Sequence, residues 1–228
     1  MNENEIIFFI HMPKCGGKSF RAGLDEAFGE HAHYVYINPM PIVGARRAQL
    51  FLWRLKNLIS PLNVPDSAKI VYGHFCFDDI PRPNNRPIRR GAFFRDPVEW
   101  LGSYYYYASD KHPDKVKGDV LKVARNIGLA SGFSKFLGAV KVQDLDFVGL
   151  QEDYAGSLRL FEKIFGVNVP QRYNNKGPVA ALDDGGYRKL FAEQGVLEEV
   201  ESLMASNMAI YKCATERHEF LKRKHDCE

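Results

Sequence analysis

Cysteine is scarce in this chain and never paired. Cys15, Cys76, Cys213 and Cys227 are the only four in 228 residues, and no two form a C-x-x-C spacing. That disfavours a structural zinc site or a disulfide framework and points to reduced thiols. Long apolar runs are missing too. Nothing approaches the ~20 consecutive residues a membrane-crossing helix needs, and no charged leader followed by an apolar stretch precedes the first hydrophobic segment. The expectation is a soluble, cytoplasmic protein with no membrane partner. No dense basic run or zinc-finger spacing occurs, and a net charge of +3 is too small to argue for nucleic acid. Repeats and low-complexity segments are also lacking.

What is present suits a packed core. With 45% hydrophobic and 13% aromatic residues, the chain can bury its apolar groups as a single domain over residues 1–228. Short apolar runs alternate with helical periodicity. Strands are expected at 6–10, 34–37, 68–72, 91–94 and 146–150, and helices from Lys18, over 42–59, from Pro97, and around 119–138, 152–165, 184–193 and 195–222. Residues 108–118 read as a mobile connection, and Pro81 to Pro87 as a stiff surface loop or lid. The fold class is therefore α/β, a P-loop-like three-layer fold with a central, mainly parallel sheet flanked by helices. In such a sheet ligands gather at the C-terminal ends of the strands, here carrying Lys14, His74 and Arg95.

The most informative segment runs from Ile6 to Phe20. An apolar strand enters Met12-Pro13-Lys14-Cys15-Gly16-Gly17-Lys18-Ser19-Phe20, and Phe20, Leu24 and Phe28 then recur at helical spacing. A helix N-terminus offers unpaired N–H groups and partial positive charge, and Lys14, Lys18 and the Ser19 hydroxyl can add charge-assisted hydrogen bonds, so the natural guest is an anion. Cys15 has two readings: a thiol acidified by helix and lysines, or a small residue that fits the turn. Gly17-Lys18-Ser19 matches the end of a Walker-type P-loop, but that motif's first glycine would fall on Met12.

His11-x-Pro13-Lys14-x-Gly16-Gly17-x-Ser19 resembles instead the 5′-phosphosulfate loop of sulfotransferases, in the form found in the carbohydrate and Golgi-type branch. Lys18 stands where that loop usually has threonine, and either binds phosphate or lies in solvent. Arg95-Asp96-Pro97 with Ser103 and Tyr105 is similar to the family's R-D-P-x-x-x-x-x-S-x-Y element, which grips the 3′-phosphate of 3′-phosphoadenosine 5′-phosphosulfate (PAPS). Asp96 and Ser103 are seven residues apart, about two helical turns, so Ser103 shares a helix face with the N-terminus where Arg95 emerges. An arginine fork with a hydroxyl suits a phosphate dianion. Tyr72-Gly73-His74-x-x-Phe77 resembles the family's G-H-x-x-F strand end. Residues 147–161 and the loop Asn174-Asn175-Lys176-Gly177 also look like family segments, as does the helix carrying Asn207 and Tyr211.

The resemblance implies a PAPS-dependent sulfotransferase acting on a hydroxyl-bearing acceptor, a glycan or small metabolite, and releasing adenosine 3′,5′-bisphosphate. Lys14, Cys15, Gly16, Gly17, Lys18, Ser19 and Phe20 would cradle the 5′ group, and Arg95 and Ser103 the 3′-phosphate. Lys176 would either touch the nucleotide or stay in solvent. His74 would be the general base and Lys14 would stabilise the leaving oxygen, while His11 would shape the loop. No metal is implied, since no carboxylate cluster accompanies the loop. Two alternatives stand beside this reading: a P-loop kinase using Mg-ATP with Asp96 as metal carboxylate, and a non-catalytic nucleotide-binding module.

Overall fold

The computed structural model describes residues 4–36, 64–79, 86–111, 119–125, 132–172 and 186–227. Five parallel strands form one sheet: β1 (Ile6–Ile10), β2 (Ala32–Tyr36), β3 (Ile70–His74), β4 (Ile88–Phe94) and β5 (Phe147–Leu150), in the order β2-β3-β1-β4-β5. β1 is central because all five of its residues are apolar, and all five are buried. The described helices are α1 (Gly17–Phe28), α2 (Pro97–Lys111), α3 (Val120–Ala124), α4 (Gly132–Leu137), α5 (Tyr154–Phe165), α6 (Gly186–Glu193), α7 (Leu197–Leu203) and α8 (Ala205–Lys224).

Alternation along the strands sorts the aromatic residues into two layers. Phe9 and Phe93 meet Phe20 of α1, and Phe9 meets Phe161 of α5, on one face. On the other, Phe94 packs edge-on against Phe133 of α4, which also contacts Trp100 of α2. The result is three layers, helix, sheet and helix. From β1 the chain crosses to β2 at one side of the sheet, whereas from β4 it proceeds to β5 at the other. The crevice between the C-terminal ends of β1 and β4 is therefore a topological switch point.

Several boundaries differ from the sequence expectation. β2 begins at Ala32, and β3 starts at Ile70, two residues later than expected, and closes on His74. β4 begins at Ile88, where the Asp146 carboxylate accepts from the Arg89 side chain and the Arg90 N–H, drawing the polar start of the strand into the sheet. α2 continues to Lys111, so residues 108–111 are helical and not part of a loose connection. The long helix expected over 195–222 is two helices divided at Met204. The helix expected over 42–59, most of the proline-rich loop at 81–87, and Lys176 with its neighbours lie outside the described residues. Among the described residues no helix is long and apolar enough to cross a membrane.

Candidate anion site at the switch point

The loop after β1 is shaped by contacts that leave little freedom. The Trp100 indole donates to the Pro13 carbonyl oxygen at 2.7 Å, and the Tyr72 hydroxyl donates to that of Gly17 at 2.7 Å. Lys14 (φ 67°) and Gly16 (φ 77°) both adopt left-handed backbone. Only glycine fits at 16 and 17. A Cβ on Gly16 would lie 2.1 Å from Gln151 Oε1, and one on Gly17 would lie 1.6 Å from His11 Nε2. No side chain caps α1 and no acidic residue sits in its first turn. Its N–H groups and positive end are therefore presented to the loop.

Three cations converge there. Lys14 is half-buried, and burial, reinforced by Arg95 and Lys18, lowers its ammonium to about 8. Its Nζ lies 4.3 Å from the centre of the Tyr107 ring, a favourable seat for a cation. Arg95 donates to the Lys14 carbonyl oxygen at 3.3 Å and pairs with Glu99 at 3.6 Å. Lys18 is exposed and Ser19 half-buried in the first turn of α1. Phe20 differs from the expectation: its side chain is fully buried against Phe9, Phe93 and Phe161. Only its backbone belongs to the loop, its N–H donating to Gly16. Cys15 is also fully buried, and burial pushes its thiol well above the ordinary range. Of its two readings the structure favours the small residue filling a turn, because desolvation of a thiolate outweighs the nearby positive charge.

At the end of β4, Asp96 caps α2 by accepting from the N–H groups of Val98 and Glu99, and pairs with Arg188 at 3.1 Å. That engagement leaves it poorly suited to the metal carboxylate role a kinase would ask of it. Ser103, two turns along α2, is hydrogen-bonded to Tyr187 of α6. The Asp96 N–H is held by Glu152, whose other oxygen accepts from Tyr211. Arg95, in the turn before α2, and Ser103, on α2, thus lie near the same end of that helix, next to Glu99 of α2 and Tyr187 of α6, two residues the sequence reading missed.

His74 closes β3 across the loop. Its Nδ1 lies 2.7 Å from the His11 carbonyl oxygen. A carbonyl only accepts, so Nδ1 carries the proton and Nε2 bears the lone pair. Burial lowers the His74 imidazole below its ordinary value, against a smaller upward effect of that hydrogen bond, and the ring is neutral at pH 7. It stacks on His11 with centroids 4.4 Å apart, and His11 stacks in turn on Tyr72 at 5.1 Å. Burial, with His74 and Arg21 nearby, holds His11 well below the usual histidine range. Phe136 lies 6.5 Å from the His74 ring.

Four buried side-chain polar atoms have no hydrogen-bond partner among the described residues: His11 Nδ1, Gln151 Oε1, Tyr154 Oη and Tyr104 Oη. His11, Gln151 and Tyr154 lie against Gly16 or Gly17, and Tyr104 is one turn before the Tyr107 ring that seats Lys14. Unmet polar groups are costly and rare, and their concentration around one loop fits a site completed by a polar ligand. The cradle that any Cβ would fill, the uncapped helix and the three cations define that ligand as an anion. Among the described residues no group of three or more His, Cys, Asp or Glu is placed to hold a metal ion.

This architecture is known in solved structures. The chain superposes on mouse sulfotransferase SULT7A1, crystallised with PAP, with a TM-score of 0.52 at 11% identity, over 93% of this chain and 89% of the mouse one. The fold is that of a sulfotransferase. A sulfotransferase from Alicyclobacillus acidocaldarius (12% identity, 89% of this chain and 95% of that one) and a retinol dehydratase in complex with retinol and PAP (14%, 91% and 82%) each score 0.46 and add no weight. No family model matches the chain, and no curated protein matches it in sequence.

Proposed function

We propose that the protein is a soluble, cytoplasmic, single-domain PAPS-dependent sulfotransferase of the carbohydrate-type branch. It would transfer a sulfuryl group to a hydroxyl of a glycan or small metabolite. The observation that carries this reading is the meeting of the loop after β1 with the turn after β4 at the switch point, where Arg95 donates to the Lys14 carbonyl oxygen. Such a pair suits a nucleotide bearing phosphate at both ends. PAP, the ligand of the mouse structure, is adenosine 3′,5′-bisphosphate, and this chain offers matching groups for it.

In this reading the N–H groups of α1, with Lys14, Lys18 and Ser19, hold the 5′ group, while Arg95 and Ser103 hold the 3′-phosphate. His74 Nε2 takes the proton of the acceptor hydroxyl, and that oxygen attacks sulfur. The bond from sulfur to the phosphate oxygen breaks, and the Lys14 ammonium meets the charge gathering on the departing oxygen. The protein contributes position and charge, with no covalent intermediate. The acceptor would enter beside His74, past Phe136.

Incubation with radiolabelled phosphosulfate donor and a panel of hydroxyl compounds tests the proposal. Label should appear in at least one acceptor without added magnesium. Transfer of phosphate from Mg-ATP would show a kinase, and nucleotide binding with neither transfer would show a module.

A further inference from the structure

The three residues that open α6 all press on α2 beside Arg95. Gly186, at φ 56°, lies so close to Glu99 that a Cβ there would stand 2.5 Å from Oε1. The Arg188 N–H donates to that same Oε1 at 3.0 Å, and its guanidinium holds Asp96 and Glu201. Between them Tyr187 covers Gly102, where a Cβ would fall 2.2 Å from the ring, and stacks on Tyr106 with centroids 5.4 Å apart. Its side chain is nearly closed off from solvent, at 6% exposure.

The position of the phenol is the informative point. It is hydrogen-bonded to Ser103 and lies within electrostatic reach of Arg95 and Glu99. Two hydroxyls that share one hydrogen bond use one of their two protons, and the other remains to be donated. Burial raises the phenol to about 12, so it keeps its proton at neutral pH. Glu99 spends one oxygen on the Arg188 N–H and the other on Arg95, which holds the guanidinium next to this hydroxyl pair. A guanidinium and two hydroxyls converging from two helices form a donor set for an oxyanion.

We propose that Tyr187 is a third ligand of the 3′-phosphate, its hydroxyl joining Arg95 and Ser103 in selecting nucleotides phosphorylated at that position. The inference rests on the nucleotide reading above and adds to it a residue from a different helix.

Tyr187→Phe tests it, because the ring stays over Gly102 and against Tyr106 while the hydroxyl is lost. The full chain is titrated calorimetrically with adenosine 3′,5′-bisphosphate and with adenosine 5′-monophosphate. The variant should bind the bisphosphate roughly tenfold more weakly, the scale of one hydrogen bond to a charged group, with monophosphate affinity unchanged. Equal weakening of both nucleotides, or of neither, overturns the assignment while leaving the nucleotide reading in place. A wild-type protein that shows no preference for the bisphosphate removes both.

Discussion

The guanidinium of Arg95 donates to the carbonyl oxygen of Lys14 across 3.3 Å, joining the turn after β4 to the loop after β1. The two residues lie 81 positions apart in the chain, yet parallel pairing of β1 with β4 brings their strand ends side by side. Each raises the local positive potential felt by the other, a cost that an anionic ligand would relieve.

Arg95→Ala should therefore discriminate between ligands. Loss of a charge-assisted, forked contact is expected to weaken nucleotides carrying a 3′-phosphate by about 10- to 100-fold, with little change for those lacking it. Competitive binding of the two nucleotide classes measures this directly.

Lys14 links affinity to pH. Its ammonium sits near 8 in the unliganded protein, below the ordinary lysine range, and the charged form is the one that attracts phosphate. Affinity should be highest below pH 8 and fall as pH rises through that value. Folding stability shifts with the same group: the unfolded chain binds the proton more readily above pH 8, so this residue's destabilising effect is full below pH 8 and fades above it. Lys14→Arg, which keeps its charge, should flatten the affinity profile, as titrations from pH 7 to pH 10 would show.

His74→Ala should reduce turnover by about 10²–10⁴-fold with nucleotide affinity preserved. Because burial lowers this imidazole, the acid limb of kcat/KM should have its midpoint below pH 6.5 in the wild type and vanish in the variant. A pH series of initial rates provides the check.

Gly17→Ala separates shape from propensity. Alanine is the better helix former, yet its methyl would enter the space of the His11 ring. Displacing that ring disturbs the stack that supports His74. The variant should lose about 1–3 kcal/mol of stability through overpacking, together with nucleotide affinity; thermal melts and titrations would report both.

The architecture was legible where composition and punctuation agree. Ile6–Ile10, apolar throughout and followed by Pro13 and paired glycines, could only be an interior strand leading into a tight turn. Ile88–Arg90 were not legible as strand, because two arginines break the apolar pattern; they pair with Ile6–Phe8 of β1, and their polar groups are met by Asp146, far along the chain. The division at Met204 was also hidden, since the apolar periodicity runs across it. In the site, the residue types at 14, 74, 95 and 103 pointed to one edge of the sheet. Only geometry gives His74 its tautomer, through the His11 carbonyl. At Cys15 the sequence left two readings open, an acidified thiol or a small residue that fits the turn, and the burial of the side chain in the core decides for the second. Tyr187 carried no sequence signal of its own; a glycine at 102, preceding Ser103, was the one mark that something large would pack there.

A crystal structure of the protein with adenosine 3′,5′-bisphosphate tests the central claim most directly. The account predicts the 5′-phosphate on the loop from Lys14 to Ser19, and the 3′-phosphate within hydrogen-bond reach of Arg95 and Ser103. A nucleotide bound away from the β1/β4 crevice, or with its 3′-phosphate turned from Arg95 into solvent, would contradict it.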